Sequence, residues 1–283
     1  MAIFQGLSYF EKNKQICMRE YYNIALIGAG NLAWHLGPAF ENNGHRISLV
    51  FNRTKKNAHQ LMDRLYRAEL KKNLNFSNDP VDLIMIAVSD VVIKEIVSEI
   101  VMPEGCQLVH TSGCQPLSVL EKSAAASIGV FYPLQTFTKG IHMDFREMPV
   151  FLESSSKSGI EQLLQLSKGL SKNIFKINSD QRRAVHLSAV IATNFSNHLF
   201  SIAKKILDER QIDFDLLKPI TQTMVHKIFT VDPEAGQTGP AIRRDLETMD
   251  LHMEMLENKE DLMEIYSLIS KHIIESHKKA KKR

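Results

Sequence analysis

Cysteine is scarce: only Cys17, Cys106 and Cys114 occur, at irregular spacing. That excludes a disulfide framework, and with no Cys-x-x-Cys or His-Glu-x-x-His pair the sequence offers no metal-binding motif. A reducing compartment fits best. Long apolar runs are also missing. None reaches the roughly 18 residues needed to span a bilayer, and the first twenty residues are broken by Glu11, Lys12, Lys14 and Arg19, unlike a secretory signal. The chain therefore reads as cytoplasmic, with no membrane partner. An excess of one charge is lacking as well: 35 Lys and Arg stand against 32 Asp and Glu. Five of those bases (Lys278, Lys279, Lys281, Lys282 and Arg283) crowd the C-terminus, and without them acids outnumber bases by two. No broad basic surface remains for a nucleic-acid partner. The terminal run reads as a solvated tail, because blocks of like charge repel.

What is present is the composition of a folded protein: 283 residues, 44% hydrophobic and 24% charged, enough for two domains. Residues 1–20 form either an ordered extension or the product of an upstream start, since Met18 lies just before the first convincing strand. Beyond them, short apolar runs alternate with amphipathic stretches. Strands are expected at 22–27, 46–51, 81–88, 107–111, 128–132, 150–153 and 174–176. Helices are expected at 31–42, 54–72, 91–101 and 157–170. This alternation predicts a parallel α/β sheet, doubly wound in the Rossmann manner. After Asp180 strand signals vanish, and helical patterns run through 181–210, 214–230, 239–257 and 259–277. The boundaries are placed accordingly: a nucleotide-binding domain over 21–178, an all-helical domain over 179–277 and a basic tail over 278–283.

Gly28-Ala29-Gly30-Asn31-Leu32-Ala33 joins the first strand to the first helix. In that setting the first glycine permits a tight turn, the second lets backbone approach a diphosphate, and a small third residue allows close packing of helix on strand. The diphosphate would meet the free N–H groups of the helix N-terminus. After the second strand comes Asn52-Arg53-Thr54, where NAD-binding sites usually place an acid. Arg53 and Thr54 suit a 2′-phosphate instead, so the expected cofactor is NADP(H). The alternative is that Arg53 is a solvated helix-start residue. Val88, Ser89 and Asp90 follow one later strand, and His110, Thr111, Ser112 and Gly113 follow the next. Their polar groups are placed to meet nicotinamide ribose and carboxamide, although Ser89 and Asp90 also suit a helix cap.

On the long helical stretch, His186, Thr193 and Asn197 recur near whole turns, with Asn194 beside them. Such a polar stripe suits a small-molecule substrate, with His186 as proton donor and Asn194 and Asn197 as orienting amides. The competing reading makes them satisfied helix or dimer contacts. His198 points to another sector and reads as structural. In the segment 237–245, Thr238 is a suitable cap and Pro240 suits a first helical turn. Arg243 or Arg244 is a candidate for a substrate carboxylate or for a salt bridge with Asp245 at a subunit interface.

Taken together, the glycine loop, Asn52-Arg53-Thr54, His110-Thr111-Ser112-Gly113, Tyr132-Pro133-Leu134-Gln135-Thr136-Phe137, the stretch 186–198 and Thr238-Gly239-Pro240-Ala241 resemble one family. In it a Rossmann-like domain precedes a DUF2520 domain, and the resemblance covers about residues 22 to 275. It implies an architecture similar to pyrroline-5-carboxylate reductase and 6-phosphogluconate dehydrogenase, with a helical C-terminal domain that helps form a homodimer and an active site in the cleft between domains. It further implies an NADP-dependent oxidoreductase acting on a small carbonyl or imine acid, as ketopantoate reductase does. Alternatives are an imine reductase of the pyrroline-carboxylate kind and a non-catalytic NADP-binding regulator. One departure stands out: the Lys-x-x-x-Asn pair of the hydroxyacid dehydrogenases and ketopantoate reductases is absent at the corresponding helix positions, and His186 occupies that neighbourhood. Ser112 is the remaining candidate for contact with substrate or nicotinamide.

Overall fold

A computed structural model describes residues 21–280, so the extension over 1–20, with Cys17, and the last three basic residues lie outside the described residues. The chain divides into two compact units, the first ending at Ser196 and the second beginning at Asn197.

The first unit is built on an eight-stranded sheet. In chain order it contains β1 (Asn23–Ile27), α1 (Asn31–Asn42), β2 (Arg46–Phe51), α2 (Lys55–Met62), β3 (Glu69–Leu70), β4 (Leu83–Ile86), α3 (Asp90–Glu99), β5 (Gln107–His110), β6 (Ser127–Pro133), β7 (Val150–Ser154), α4 (Lys157–Ser167), β8 (Ile174–Lys176) and α5 (Ser179–Ala189). The strands lie in the order β3-β2-β1-β4-β5-β6-β7-β8. The chain winds outward from β1 to β3, then returns to β4 on the other side of β1, so the direction of winding reverses between β1 and β4. Crevices at such reversals, beyond the carboxyl ends of the strands, are where doubly wound folds bind ligands.

Side-chain alternation along β1 builds two cores at once. Ile24 and Leu26 pack with Leu36 and Phe40 of α1, Leu61 of α2 and Leu166 of α4. Ala25 and Ile27 pack instead with Ile93, Ile96 and Val97 of α3. Each fully buried large aliphatic or aromatic side chain contributes roughly 1.5–3 kcal/mol. Covered on both faces, the central strands read as continuous apolar runs, which is why the sequence shows them plainly.

Three details differ from expectation. The sheet is not wholly parallel, because β7 runs antiparallel to β6. Parallel neighbours need a crossover, and no helix lies between Pro133 and Val150. The helix expected over 54–72 stops at Met62, and Leu49 and Val50 of β2 pair in parallel with Glu69 and Leu70 as a short edge strand. Finally, the last strand ends at Lys176 while the first compact unit runs on to Ser196 and takes in α5 and the π-helical segment after it.

The second unit contains α6 (Ser196–Asp208) from its second residue, a 3-10 turn (Phe214–Leu217), α7 (Lys218–Thr230), α8 (Pro240–Arg243), α9 (Leu246–Met255) and α10 (Glu260–Ala280). The helix expected over 239–257 is broken at Arg244, whose backbone is left-handed, and Asp245 then caps α9 through the Thr248 N–H. Gly239, not Thr238, occupies the position before α8, with Pro240 in the first turn as expected. Helix α10 runs on through Lys278, so that lysine is helical and not part of a loose tail. Among the described residues this unit buries only two apolar side chains, Ala241 and Leu256, whereas Phe229 is 86% exposed and Ile220 and Leu268 are nearly as bare. No helix among the described residues is long and apolar enough to cross a membrane.

Candidate functional site

The glycine loop closes directly against the neighbouring strand. Gly28 has a φ of 111°, and a Cβ there would lie 2.3 Å from the Ala87 carbonyl and 2.9 Å from Val88 Cγ1, so both conformation and space require glycine. Asn52 fastens the loop: its Oδ1 accepts from the Ala29 N–H at 3.1 Å and its Nδ2 donates to the Thr54 carbonyl at 2.8 Å. Asn52 therefore shapes the cradle, its carboxamide already engaged within the chain. Helix α1 begins at Asn31 with no side-chain cap and no acid in its first turn, which leaves its N–H groups and positive dipole end uncompensated. A Cβ built on Gly30 would meet no atom within 4 Å. Open space at a glycine beside uncapped N–H groups fits a diphosphate. Arg53 and Thr54 are exposed, and neither side chain has a hydrogen-bond or ionic partner among the described residues. A 2′-phosphate would find both available.

Farther along the same sheet edge, a second cluster forms. Tyr132, near the end of β6, places its hydroxyl 3.0 Å from His186 Nδ1, with the two rings edge to face at 6.0 Å. Phe151 stacks on Tyr132 from the other strand. Both rings press on Gly113, where a Cβ would lie 2.6 Å from His186 Nδ1 and 2.7 Å from Tyr132 Cζ. Burial pushes the Tyr132 phenol up to about 12; the Arg182 charge opposes the rise and Asp90 adds to it. The hydroxyl thus stays protonated under ordinary conditions. Ser112 Oγ accepts from the Cys114 and Gln115 N–H groups at 3.1 and 2.9 Å, which leaves its own O–H free to donate.

Beneath this cluster lies a buried ion pair. Arg182, on α5 one turn before His186, is fully buried and pairs with Glu153 of β7. It also donates to the Gln115 carbonyl at 2.5 Å, while Glu153 accepts from the Ser179 N–H at 3.0 Å and the Ser179 hydroxyl at 2.9 Å. His110 is fully buried beside it. Its Nδ1 accepts from the Ser112 N–H at 3.1 Å, and its Nε2 has no partner of good geometry. Thr111 is buried and donates to the Ile86 carbonyl. The side chains of both residues are thus buried and turned to partners within the chain. Ser89 stands before α3 without capping it through its side chain, and Asp90 opens that helix.

Residues 11–132 match the Rossmann-like domain family, and residues 148–273 match DUF2520, a domain of unknown function. A Bacteroides fragilis protein provisionally described as an NADP oxidoreductase is 35% identical, with a TM-score of 0.83 over 90% of this chain and 99% of that one. The chain belongs to this family of Rossmann-like plus DUF2520 proteins. Its fold is also shared by an Aspergillus terreus reductive aminase solved with NADPH and ethyl-5-oxohexanoate (12% identity, TM-score 0.67, 90% of this chain and 94% of that one). A Myxococcus stipitatus imine reductase solved with NADP+ is similar at 16% identity and a TM-score of 0.63, over 90% and 94% of the two chains. No curated protein matches.

Within the family fold, several important residues escape a reading of the sequence. The polar stripe is one case. Residues Val190–Phe195 form a π-helical segment, which inserts about one extra residue into a turn. Beyond such an insertion each position is turned by roughly 100° from its place on a regular helix. On that count Asn194, not Thr193, continues the line of His186. Asn194 is exposed and accepts from the Thr193 hydroxyl at 3.0 Å, and Asn197 is exposed in the second unit. Arg243 lies 3.9 Å from Asp245 of its own chain, a loose surface pair. Tyr132, Glu153 and Arg182 carry no local pattern, since their partners lie 54 and 29 residues away.

Burial, reinforced by the Arg182 charge and opposed by the Pro116 carbonyl, lowers the His110 pKa from 6.5 to about 3. Between those values the unfolded chain binds a proton that the folded chain refuses, so stability falls as pH drops through the window. Urea unfolding midpoints should therefore decline from pH 7 to pH 4.5. His110→Asn, which retains an acceptor for the Ser112 N–H, should decline less steeply; equal slopes would contradict this assignment.

Proposed function

We propose that this chain is an NADP(H)-dependent oxidoreductase that reduces a small carbonyl or imine acid. The observation carrying this reading is the placement, along one sheet edge, of an open glycine cradle at β1 and a Tyr132–His186 pair at β6. Gly28, Ala29, Gly30, Asn31 and Leu32 hold the diphosphate, Arg53 and Thr54 the 2′-phosphate, and Val88 and Ser89 line the crevice between. The cofactors bound to the fungal and bacterial reductases of this fold, and the description of the Bacteroides fragilis relative, support the same choice.

When bound, NADPH supplies a hydride. The chain supplies the proton. With the Tyr132 hydroxyl donating to Nδ1, His186 carries its ring proton on Nε2, available to the oxygen or nitrogen of the reduced substrate. Tyr132 fixes that tautomer: as the Nε2 proton leaves, the phenol proton passes to Nδ1, and the tyrosinate so formed regains a proton from solvent. Ser112 has a free hydroxyl hydrogen to orient the same group, and Asn194 positions the remainder of the substrate. The imine form of the reading is favoured by the fold shared with imine reductases and a reductive aminase.

The second unit serves assembly in this reading. Helices that bury two apolar side chains while baring Phe229, Ile220 and Leu268 lack a core of their own, and exposed apolar area on this scale marks an interaction surface. A homodimer through the helical domain supplies the missing cover. A cytoplasmic setting suits the free thiols Cys106 and Cys114.

Two measurements test this. Fluorescence titration of Arg53→Ala should show NADPH binding weakened about tenfold or more, as expected for one charge-assisted hydrogen bond, with NADH binding little changed. Equal weakening of both would contradict the 2′-phosphate role. Sedimentation equilibrium at micromolar concentration should return twice the chain mass; a stable monomer would remove the assembly role.

A further inference from the structure

The segment from Leu134 to Pro149, joining β6 to β7, runs back from the reactive pair to the glycine loop. Its course is fixed at three points. His35 Nε2 donates to the Thr138 carbonyl at 2.8 Å, and the Phe137 ring lies 5.8 Å from the His35 ring and 6.1 Å from Phe145. Next in the chain, Lys139 Nζ donates to the Ala29 carbonyl at 3.2 Å and stands 5.0 Å from the centroid of Trp34. A half-buried ammonium is thereby held at the middle residue of the cradle.

That placement is electrostatically incomplete. Among the described residues no carboxylate pairs with Lys139, and the first turn of α1 beside it carries no acid. Arg64 stands over the same indole, 4.4 Å from its centroid, and adds a second positive charge nearby. The Ala29 carbonyl takes one of the three ammonium donors. Two donors and a full charge remain beside the positive end of a helix, an arrangement that favours a bound anion.

We propose that Lys139 is a diphosphate-contacting residue, delivered to the dinucleotide cradle by the β6–β7 segment. The inference rests on the cradle's being a dinucleotide site and adds a contact that the glycine motif does not contain. Its signature differs from that of Arg53. A residue on the 2′-phosphate separates NADPH from NADH, whereas a residue on the diphosphate serves both equally.

The test is titration of NADPH and NADH into the full-length protein and its Lys139→Gln and Lys139→Met variants, at low and high salt. Glutamine keeps a donor for the Ala29 carbonyl and removes the charge, so it separates charge from tethering. Both nucleotides should bind Lys139→Gln about tenfold or more weakly, by the same factor, with a shallower dependence on salt than the parent shows. Lys139→Met should lose at least as much, and it supplies the result if the glutamine variant misfolds. Parent-like affinity in a folded variant overturns the proposal. So does loss confined to NADPH, or weakened binding with an unchanged salt dependence, which marks a tether alone. A parent protein that binds neither nucleotide overturns the dinucleotide reading itself, a result distinct from all of these.

Discussion

A single buried ion pair ties the parts of this unit together. Arg182 is fully enclosed, and an isolated guanidinium in such a place is tenable only when its charge and donors are met. Glu153 meets the charge and the Gln115 carbonyl takes a second donor, while Nε alone of the guanidinium nitrogens lacks a partner. Both Ser179 groups hold the carboxylate from the far side, and the Leu117 N–H donates to the Ser179 hydroxyl at 3.0 Å. In one network the start of α5, strand β7 and the turns after β5 are fastened together. His186 lies one turn along the same helix, so its approach to Tyr132 follows from the anchor. The anchoring charge also acts on what surrounds it: it helps keep His110 neutral and it moderates the rise of the Tyr132 pKa. Removing either partner leaves the other buried and alone, a change that typically costs about 3–5 kcal/mol.

The two ends of the edge solve different problems. In the proposed function the backbone does the recognising at β1: a glycine forced by the Ala87 carbonyl, a loop pinned by Asn52 and a helix start left without a cap. At β6 side chains do it, and they are held by packing, with Phe151 behind Tyr132 and a glycine at 113 that leaves the two rings room. Phe175 stacks in turn on Phe151, extending the support to β8. The second unit poses the opposite case, with amphipathic helices whose apolar faces have little to cover them within the chain.

How much of this the sequence discloses depends on how local each cause is. The central strands and the glycine loop are readable because their determinants are contiguous: apolar runs covered on both faces, then a turn that only glycine can make. Edge features are less so. The segment after Met62 keeps helical spacing through Leu65, yet pairing with β2 claims Glu69 and Leu70. The alignment of Thr193 with His186 fails for a definite reason, since the π-helical turn over Val190–Phe195 changes the period on which the stripe was counted. Arg182 and Glu153 look like ordinary surface charges on an amphipathic helix and a short strand. Only the antiparallel placement of β7 brings them together, and no short-range pattern announces that reversal.

The proposed function requires that one sheet edge hold a dinucleotide at β1 and react at β6. A crystal structure of the protein with NADP+ tests it most directly. The diphosphate should lie against the Gly28–Leu32 cradle, the 2′-phosphate beside Arg53, and the nicotinamide ring toward Tyr132 and His186. A dinucleotide seated elsewhere, or one whose nicotinamide points away from that pair, would contradict it.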